Sequence, residues 1–315
     1  MKLDIIPFRH LKDNDSVMVK TVNHALLQNG IIGVRDIPEF EEKSRDFIEA
    51  ARKFTLLDEE TKNRYVPNRN IGETEGYELG AEWFQNKDGI WQVDDKKASF
   101  YAFIPDHAKN KWPIEVDLKS AYLELGKLIF EAGKLILSMI GLNDKTDLNF
   151  SELKGYGRML HYQKESDLTN ENPYWCGAHF DHGILTGLMP AYYFCEDIEI
   201  DEPEEAGLYI VPGNGTQFEK VYSQKKDILL FQVGEFGQLI SNDEIKATKH
   251  LVRKVKGGIE RYAFAVFYSP NKNMVIESYS SLIVDSRYNL NQVGGKISYD
   301  QWEKASFDRY RSYKI

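Results

Sequence analysis

The sequence predicts a mainly β fold with flanking helices, a sandwich or barrel of short strands. Three observations predict it. From Gly155 onward apolar residues recur with a period of two, in short runs such as Tyr156–Tyr162, Cys176–Phe180, Leu185–Met189, Tyr192–Cys195, Ile228–Val233 and Tyr262–Tyr268. Turn chemistry separates the runs, as at Pro212-Gly213-Asn214-Gly215 and Lys256-Gly257-Gly258. Upstream stands one long helical stripe, Glu115–Ile140, on which Leu118, Tyr122, Leu125, Ile129, Ala132, Ile136 and Met139 recur at steps of three and four. Many short strands at this spacing mean a sandwich or a barrel, and the striped helix supplies a face for a sheet to pack on.

The elements follow in order. Leu3–Phe8 reads as a short strand that Pro7 ends. A helix capped by Asp15 or Ser16 carries Val17, Val22, Ala25 and Leu26 and closes at Gly30. Ile31–Val34 is a strand, and Pro38 suits the first residue of a helix reaching Leu57. From Val66 to Pro113, Gly, Asn, Asp and aromatics dominate, which reads as irregular structure with short strands, a candidate cover for a pocket. Within it, the aromatic segment Tyr77–Tyr101 is a candidate mouth, which favours a small amphipathic substrate. Further runs, Leu208–Val211, Phe218–Tyr222, Gln238–Ile240 and Leu251–Val255, read as strands, and Tyr299–Lys314 as a terminal helix. The Gly-Asn-Gly lacks the strand-to-helix context and the Lys of a phosphate loop, so it is a hairpin turn. We take the chain as one domain, with a helical and irregular part at 1–150, the β core at 151–285 and a helical tail at 286–315.

Composition bounds the function. Of 315 residues, 42% are hydrophobic and 13% aromatic, enough for a buried core. The net charge of -9 argues against a general nucleic-acid or anionic-membrane binder. Cys176 and Cys195 are not spaced for a metal and read as buried thiols. No apolar run is long enough to span a bilayer and the N-terminus does not open as a signal peptide, so the expectation is a cytoplasmic protein.

The chemistry centres on Ala178-His179-Phe180-Asp181, the one place where a His is followed two positions on by a carboxylate. On a strand, such a pair projects to one face. With a distant His it makes the ligand set of a non-haem Fe(II) that keeps open positions. His250, in Thr248-Lys249-His250-Leu251-Val252, is the candidate third ligand. Downstream, Arg261 shares a strand face with Ala263, Ala265 and Phe267. An Arg among small apolar neighbours is costly to bury unless an anion meets it, and its planar fork suits a carboxylate. By alternation Arg158 shares the inward face with Tyr162, as a partner of the acidic stretch Glu196–Glu205 or as a contact for a substrate carboxylate. His161 and His182 point the other way and read as structural.

These residues, spaced as they are, resemble the Fe(II)/2-oxoglutarate-dependent oxygenase superfamily, specifically its isopenicillin N synthase-like subgroup. Asn29-Gly30-Ile31-Ile32-Gly33-Val34, Arg158-Met159-Leu160-His161-Tyr162, Leu185-Thr186, Val233-Gly234-Glu235 and Leu239-Ile240-Ser241-Asn242-Asp243 resemble further segments of that subgroup, so the likeness covers nearly the whole chain. The resemblance implies a double-stranded β-helix, a jelly-roll barrel. It implies Fe(II) on His179, Asp181 and His250, and 2-oxoglutarate gripped by Arg261 with help from Tyr162. The implied reaction consumes O2 and leads through a ferryl to hydroxylation, desaturation or cyclisation of a small organic substrate. Two positions depart from the pattern: Ala263 stands where the subgroup has Ser, and Leu160 where it has Asn. Those departures keep a second reading open, an Fe(II) oxidase of the same fold that uses no 2-oxoglutarate, with Arg261 on a substrate carboxylate and electrons from substrate or ascorbate. A third is a non-catalytic metal-binding jelly roll.

Overall fold

A computed structural model describes residues 1–85, 90–142, 146, 148–164, 172–213, 215–222, 225–284 and 296–311. The strands are β1 (Ile5–Pro7), β2 (Ile31–Arg35), β3 (Gly76–Leu79), β4 (Trp83–Gln85), β5 (Trp91–Val93), β6 (Lys97–Ile104), β7 (Lys154–Tyr162), β8 (Tyr174–His179) and β9 (Leu185–Leu188). They continue as β10 (Tyr192–Cys195), β11 (Ile198–Ile200), β12 (Gly207–Ile210), β13 (Glu219–Lys220), β14 (Leu229–Val233), β15 (His250–Arg253), β16 (Ile259–Ser269), β17 (Val275–Glu277) and β18 (Lys296–Ser298). The helices are α1 (Phe8–Lys12), α2 (Ser16–Gln28), α3 (Phe40–Thr55), α4 (Glu59–Asn63), α5 (Leu118–Met139), α6 (Glu235–Ile240) and α7 (Tyr299–Arg311).

Two sheets face each other. The larger runs β1-β2-β14-β9-β16-β7-β6-β3, with β10 beside β9 along β16 and β11 outside it. The smaller is β13-β12-β15-β8. The outer face of the large sheet takes α3 and α5: Phe264 packs against Phe47 and Tyr122 at ring-centroid distances of 4.4 and 4.7 Å. The inner face, Arg158, Leu160 and Tyr162 on β7 with Arg261, Ala263 and Ala265 on β16, looks across a cavity toward the small sheet. That is the jelly-roll arrangement, and it puts the polar positions of both sheets inside. One cluster of buried apolar residues extends from Ile6 to Trp302, so the terminal segments share the core with the sheet.

Helix α5 covers the stripe read for it, with Asp117 capping Ser120. Asp15 caps α2 through Val17 N at 2.9 Å. Several readings are corrected. The segment Leu3–Phe8 yields only three strand residues before α1 begins. Helix α3 starts at Phe40, after a turn through Pro38 and Glu39, not at Pro38. The stretch read as irregular contains β6, eight residues inside the large sheet. Its Phe100 lies in the core against Phe54, Trp112 and Tyr122, on the side away from the cavity. The acidic stretch contains β11, which pairs with β10.

The run Gln238–Ile240 is helix, not strand. A Cβ at Gly234 would overlap the Gly183 carbonyl, so only glycine lets the chain turn there. The turn's first free amides then find acceptors in the loop after β8: Glu235 N donates to Asp181 O at 2.7 Å and Phe236 N to Gly183 O at 3.1 Å. The tail helix is described to Arg311; Lys314, and the turn at Asn214, lie outside the described residues, as do 285–295 of the segment given to the tail.

Candidate metal centre

The two sheets bring His179, Asp181 and His250 together. His179 ends β8 and sits opposite His250 on β15 in the antiparallel register. Asp181 is not on the strand, as read from the sequence; it lies two residues past its end, in the loop that crosses to β9. The carboxylate nevertheless turns back to the histidines. Asp181 Oδ1 is 3.5 Å from His179 Nε2 and 3.9 Å from His250 Nε2. One ligand atom from each residue lies within 4.8 Å of the others.

The surroundings set the chemistry of each donor. His179 Nδ1 donates to Gly177 O at 2.8 Å, and His250 Nδ1 to Thr248 O at 3.0 Å. A carbonyl only accepts, so each Nδ1 carries a proton and each Nε2 is the ring nitrogen turned toward Asp181. Thr186 Oγ1 donates to Asp181 Oδ2 at 2.7 Å, which fixes that oxygen and leaves Oδ1 for the centre. Gln232, fully buried on β14, reaches Asp181 Oδ2 through Nε2 at 3.4 Å. Burial, and the charge of His179 beside it, push the His250 imidazole down to about 4, so it is neutral near pH 7. The His179 imidazole goes the other way: burial would lower it, but Cys176 and Asp181 beside it raise it well above its ordinary value, so a metal bound here would take the place of its Nε2 proton. Two imidazoles and one carboxylate on one side of an open cavity then fit Fe(II) with positions left over. The same residues without their tautomer-fixing carbonyls would make a poorer case.

Arg261 stands on the inner face of β16, in register with Tyr162 on β7. Its residue is 7% exposed, and its guanidinium lies 5.2, 5.8 and 5.9 Å from the ring centres of Tyr162, Trp175 and Tyr193. Tyr193 Oη, at 3.4 Å from Nε, is its hydrogen-bond partner among the described residues, and no described carboxylate is within ion-pair distance. Tyr193 Oη itself donates to Glu202, which is held by Lys220 at 3.0 Å. A buried cation facing a cavity with three rings around it and no anion is a cradle for one. The next rung of the ladder pairs Ala263 with Leu160, and both line the cavity without a polar atom to offer. Tyr162 is buried beside Arg261.

The cavity encloses about 870 Å³ counting its open mouth. Arg158 lines it, and its ion-pair partner among the described residues is not the acidic stretch Glu196–Glu205. The guanidinium pairs with Glu82, just before β4, and donates to Ser99 Oγ from Nε at 3.1 Å. Lys97 reaches the same Glu82 carboxylate at 2.5 Å and Cys176 Sγ at 3.4 Å. Burial alone would raise the Glu82 carboxyl; Lys97 and Arg158 outweigh it and hold it well below its ordinary value. Burial likewise pushes the Cys176 thiol up, and Lys97 with His179 pulls it down to about 7. His161 faces away from the cavity, stacked on Tyr262 at 4.4 Å, and the His182 carbonyl accepts from Trp302 Nε1 at 3.0 Å.

The sequence reading missed Glu82, Lys97, Thr186, Gln232 and Tyr193. Gln232 left a signal: it is the polar residue in the otherwise apolar run Ile228–Val233, and a buried amide needs a partner. Thr186 lay in a segment matched to the family without a role.

No family model matches the chain. Among curated proteins it is 26% identical over 233 residues to 1-aminocyclopropane-1-carboxylate oxidase homolog 10 of Arabidopsis thaliana, covering 70% of this chain and 56% of that one. It is 24% identical over 275 residues to Jasmonate-induced oxygenase 4 of the same plant, covering 84% and 68%. The chain thus spans little more than half the length of the first of these. Among solved structures, a full-length Neurospora crassa protein in complex with alpha-KG and 5-formyluracil superposes with a TM-score of 0.69 at 20% identity, over 96% of this chain and 95% of that one. At that identity the likeness is one of fold. In sequence this chain is thus similar to a plant oxidase homolog and a plant oxygenase, and it shares the fold of the Neurospora crassa protein solved with alpha-KG.

Proposed function

We propose that the chain is a non-haem Fe(II)- and 2-oxoglutarate-dependent oxygenase that oxidises a small organic substrate. The observation that carries the reading is the gathering of His179, Asp181 and His250 on the cavity wall, with one ligand atom from each within 4.8 Å of the others and each imidazole held through Nδ1 by a backbone carbonyl. His179, Asp181 and His250 would hold the metal, and Arg261, walled by Tyr162, would bind the distal carboxylate of 2-oxoglutarate. Bound there, Fe(II) with 2-oxoglutarate and O2 would supply oxidation of an unreactive C–H bond. The chain's own part is positional. Thr186 and Gln232 keep the Asp181 carboxylate aimed. Arg261 orients an acid by charge. The apolar wall of Leu160, Leu188 and Ala263 excludes water from the reacting carbon. Taking the whole chain as one domain is consistent with its continuous core. Among the described residues no helix is long and apolar enough to cross a membrane, and we read the protein as cytoplasmic.

The test is anaerobic titration of the metal-free protein with Fe(II) and then 2-oxoglutarate, watching for the weak visible metal-to-ligand charge-transfer band. The expected result is a band that is lost in His179→Ala and weakened in Arg261→Ala. One observation favours the second reading, an Fe(II) oxidase that takes no 2-oxoglutarate: Leu160 and Ala263 give the cosubstrate no hydrogen bond. Fe(II) binding with no band, and turnover without succinate, would select it.

A further inference from the structure

The acidic stretch Glu196–Glu205 has no part in the function above, yet it delivers a side chain to the cavity. Glu202, two residues beyond β11, lines the cavity. Tyr193 Oη donates to Glu202 Oε2 at 2.8 Å, and Lys220 Nζ, on a side chain 4% exposed, meets Oε1 at 3.0 Å. Lys220 also donates to the carbonyls of Pro203 and Glu204 at 3.1 and 2.7 Å, which ties the end of the stretch to β13. Gly207, at φ +101°, leaves the space that the carboxylate fills, because a Cβ there would lie 2.6 Å from Oε2. The hydroxyl that Glu202 holds is also the one that meets Arg261. Arg261 stands between Tyr162 on β7 and Tyr193 on β10, in register with both. Its Nε donates to Tyr193 Oη at 3.4 Å, and neither Nη has a hydrogen-bond partner among the described residues. Burial pushes the Tyr193 phenol above its usual range, so it keeps its proton, accepts from Arg261 and donates to Glu202 at once. A run of hydrogen bonds thus leads from Lys220 through Glu202 and Tyr193 to one edge of the guanidinium. The Nη edge is left unpaired.

We infer that Tyr193 and Glu202 are positioning residues for the cosubstrate, holding the Arg261 fork from behind in place of the partners that Leu160 and Ala263 do not supply beside it. A guanidinium binds a carboxylate best through two parallel N–H bonds, so its plane must be set before the anion arrives. The rings of Tyr162, Trp175 and Tyr193 attract the cation without fixing that plane, and the bond at Nε supplies the direction. Glu202 draws the hydroxyl proton to the far side, so Tyr193 turns a lone pair to Arg261. Glu202 makes its ion pair with Lys220 and none with Arg261, so it does not take the place of the incoming acid. The inference rests on the reading that 2-oxoglutarate takes the Arg261 end.

The experiment is anaerobic titration of the Fe(II)-loaded protein with 2-oxoglutarate and with 2-oxopentanoate, which has the same keto-acid end and a methyl group in place of the distal carboxylate. The charge-transfer band reports the binding of each. The unaltered protein is expected to prefer the diacid, and Tyr193→Phe to cut that preference about tenfold by weakening 2-oxoglutarate alone. Glu202→Ala cuts it similarly, and Glu202→Gln, which keeps an acceptor for the hydroxyl, recovers most of it. Tyr193→Phe combined with Glu202→Ala loses no more than either change alone, because the two act in one chain. A merely structural role would weaken both keto acids alike. Tyr193→Phe removes one oxygen and leaves the Lys220–Glu202 pair, so the test stands if Glu202→Ala fails to fold. No preference in the unaltered protein, a preference unchanged in Tyr193→Phe, equal weakening of both keto acids, or additive losses in the double variant each overturn the inference. A protein that binds Fe(II) and gives the band with neither keto acid overturns the cosubstrate reading, and the inference with it.

Discussion

Asp181 has two oxygens with different duties, and that division is the most informative detail at residue scale. Oδ2 is tied to Thr186 at 2.7 Å, and Oδ1 faces both histidines. Partners of this kind orient a ligand and raise its affinity for metal, with losses of about 10–100-fold when they are removed. Thr186→Val keeps the shape and deletes the donor, so Fe(II) affinity is expected to fall by about that factor, measured by anaerobic titration against a competing chelator. Unchanged affinity would remove Thr186 from the account. The ligands themselves were legible, because a His and a carboxylate two apart with a distant His and a following Arg form a spaced pattern. Thr186 was not, because a hydroxyl on a strand carries no pattern until its partner is known. Leu160 and Ala263 were read as departures, and the structure puts both on the rung beside Arg261.

At element scale, periodicity found the long helix and most strands but failed where context outweighs it. Three residues, Gln238–Ile240, are too few to separate a period of two from a turn of helix, and the deciding contact is the Gly234 backbone against Gly183. Strand β6 was hidden because Lys97 and Ser99 interrupt its apolar run with residues that face the cavity cluster. The helix–sheet contact makes a prediction of its own. Gly133 on α5 lies against Tyr268 so closely that a Cβ would overlap the phenol, whose Oη donates to Ile129 O at 2.5 Å. Alanine gains about 1 kcal/mol over glycine in a helix interior, while overpacking costs about 1–3 kcal/mol. Gly133→Ala is therefore expected to lower the melting temperature, and a rise would mean that the contact yields.

The segment before β4 carries a pH-dependent tie to the sheet. Glu82 is held below its ordinary value by Lys97 and Arg158, so the tie is complete above the ordinary carboxyl pKa of 4.5 and weakens as pH falls toward the lowered one. Glu82→Gln is expected to be less stable than the unaltered protein at pH 7 and to converge with it as the pH drops below 4.5. Chemical denaturation at several pH values measures the gap. The side chain is 40% exposed, so the gap should be modest. A gap that widens on acidification would show that Glu82 is not the titrating partner.

On the scale of the whole molecule, the site closes a path between the two sheets. His179 and His250 belong to the small sheet, and Asp181 sits in the loop that crosses to β9 of the large one, pinned there by α6. A metal bound by all three stabilises that crossing only in the folded state, because the unfolded chain has no preformed site. Binding then adds RT ln(1 + [L]/Kd), about 2.7 kcal/mol at a hundred times Kd. For a chain of this size that is a rise of about 3–6 °C in melting temperature. Thermal melts under anaerobic conditions, with Fe(II) added and then removed by chelator, should show a reversible shift of that order in the unaltered protein and none in Asp181→Ala. The control matters, because a surface carboxylate cluster binding divalent ions weakly would leave the shift in Asp181→Ala intact. A shift confined to the chain with all three ligands ties the jelly roll, the crossing loop and the metal into one folding unit. A shift that survives the variant places the metal elsewhere.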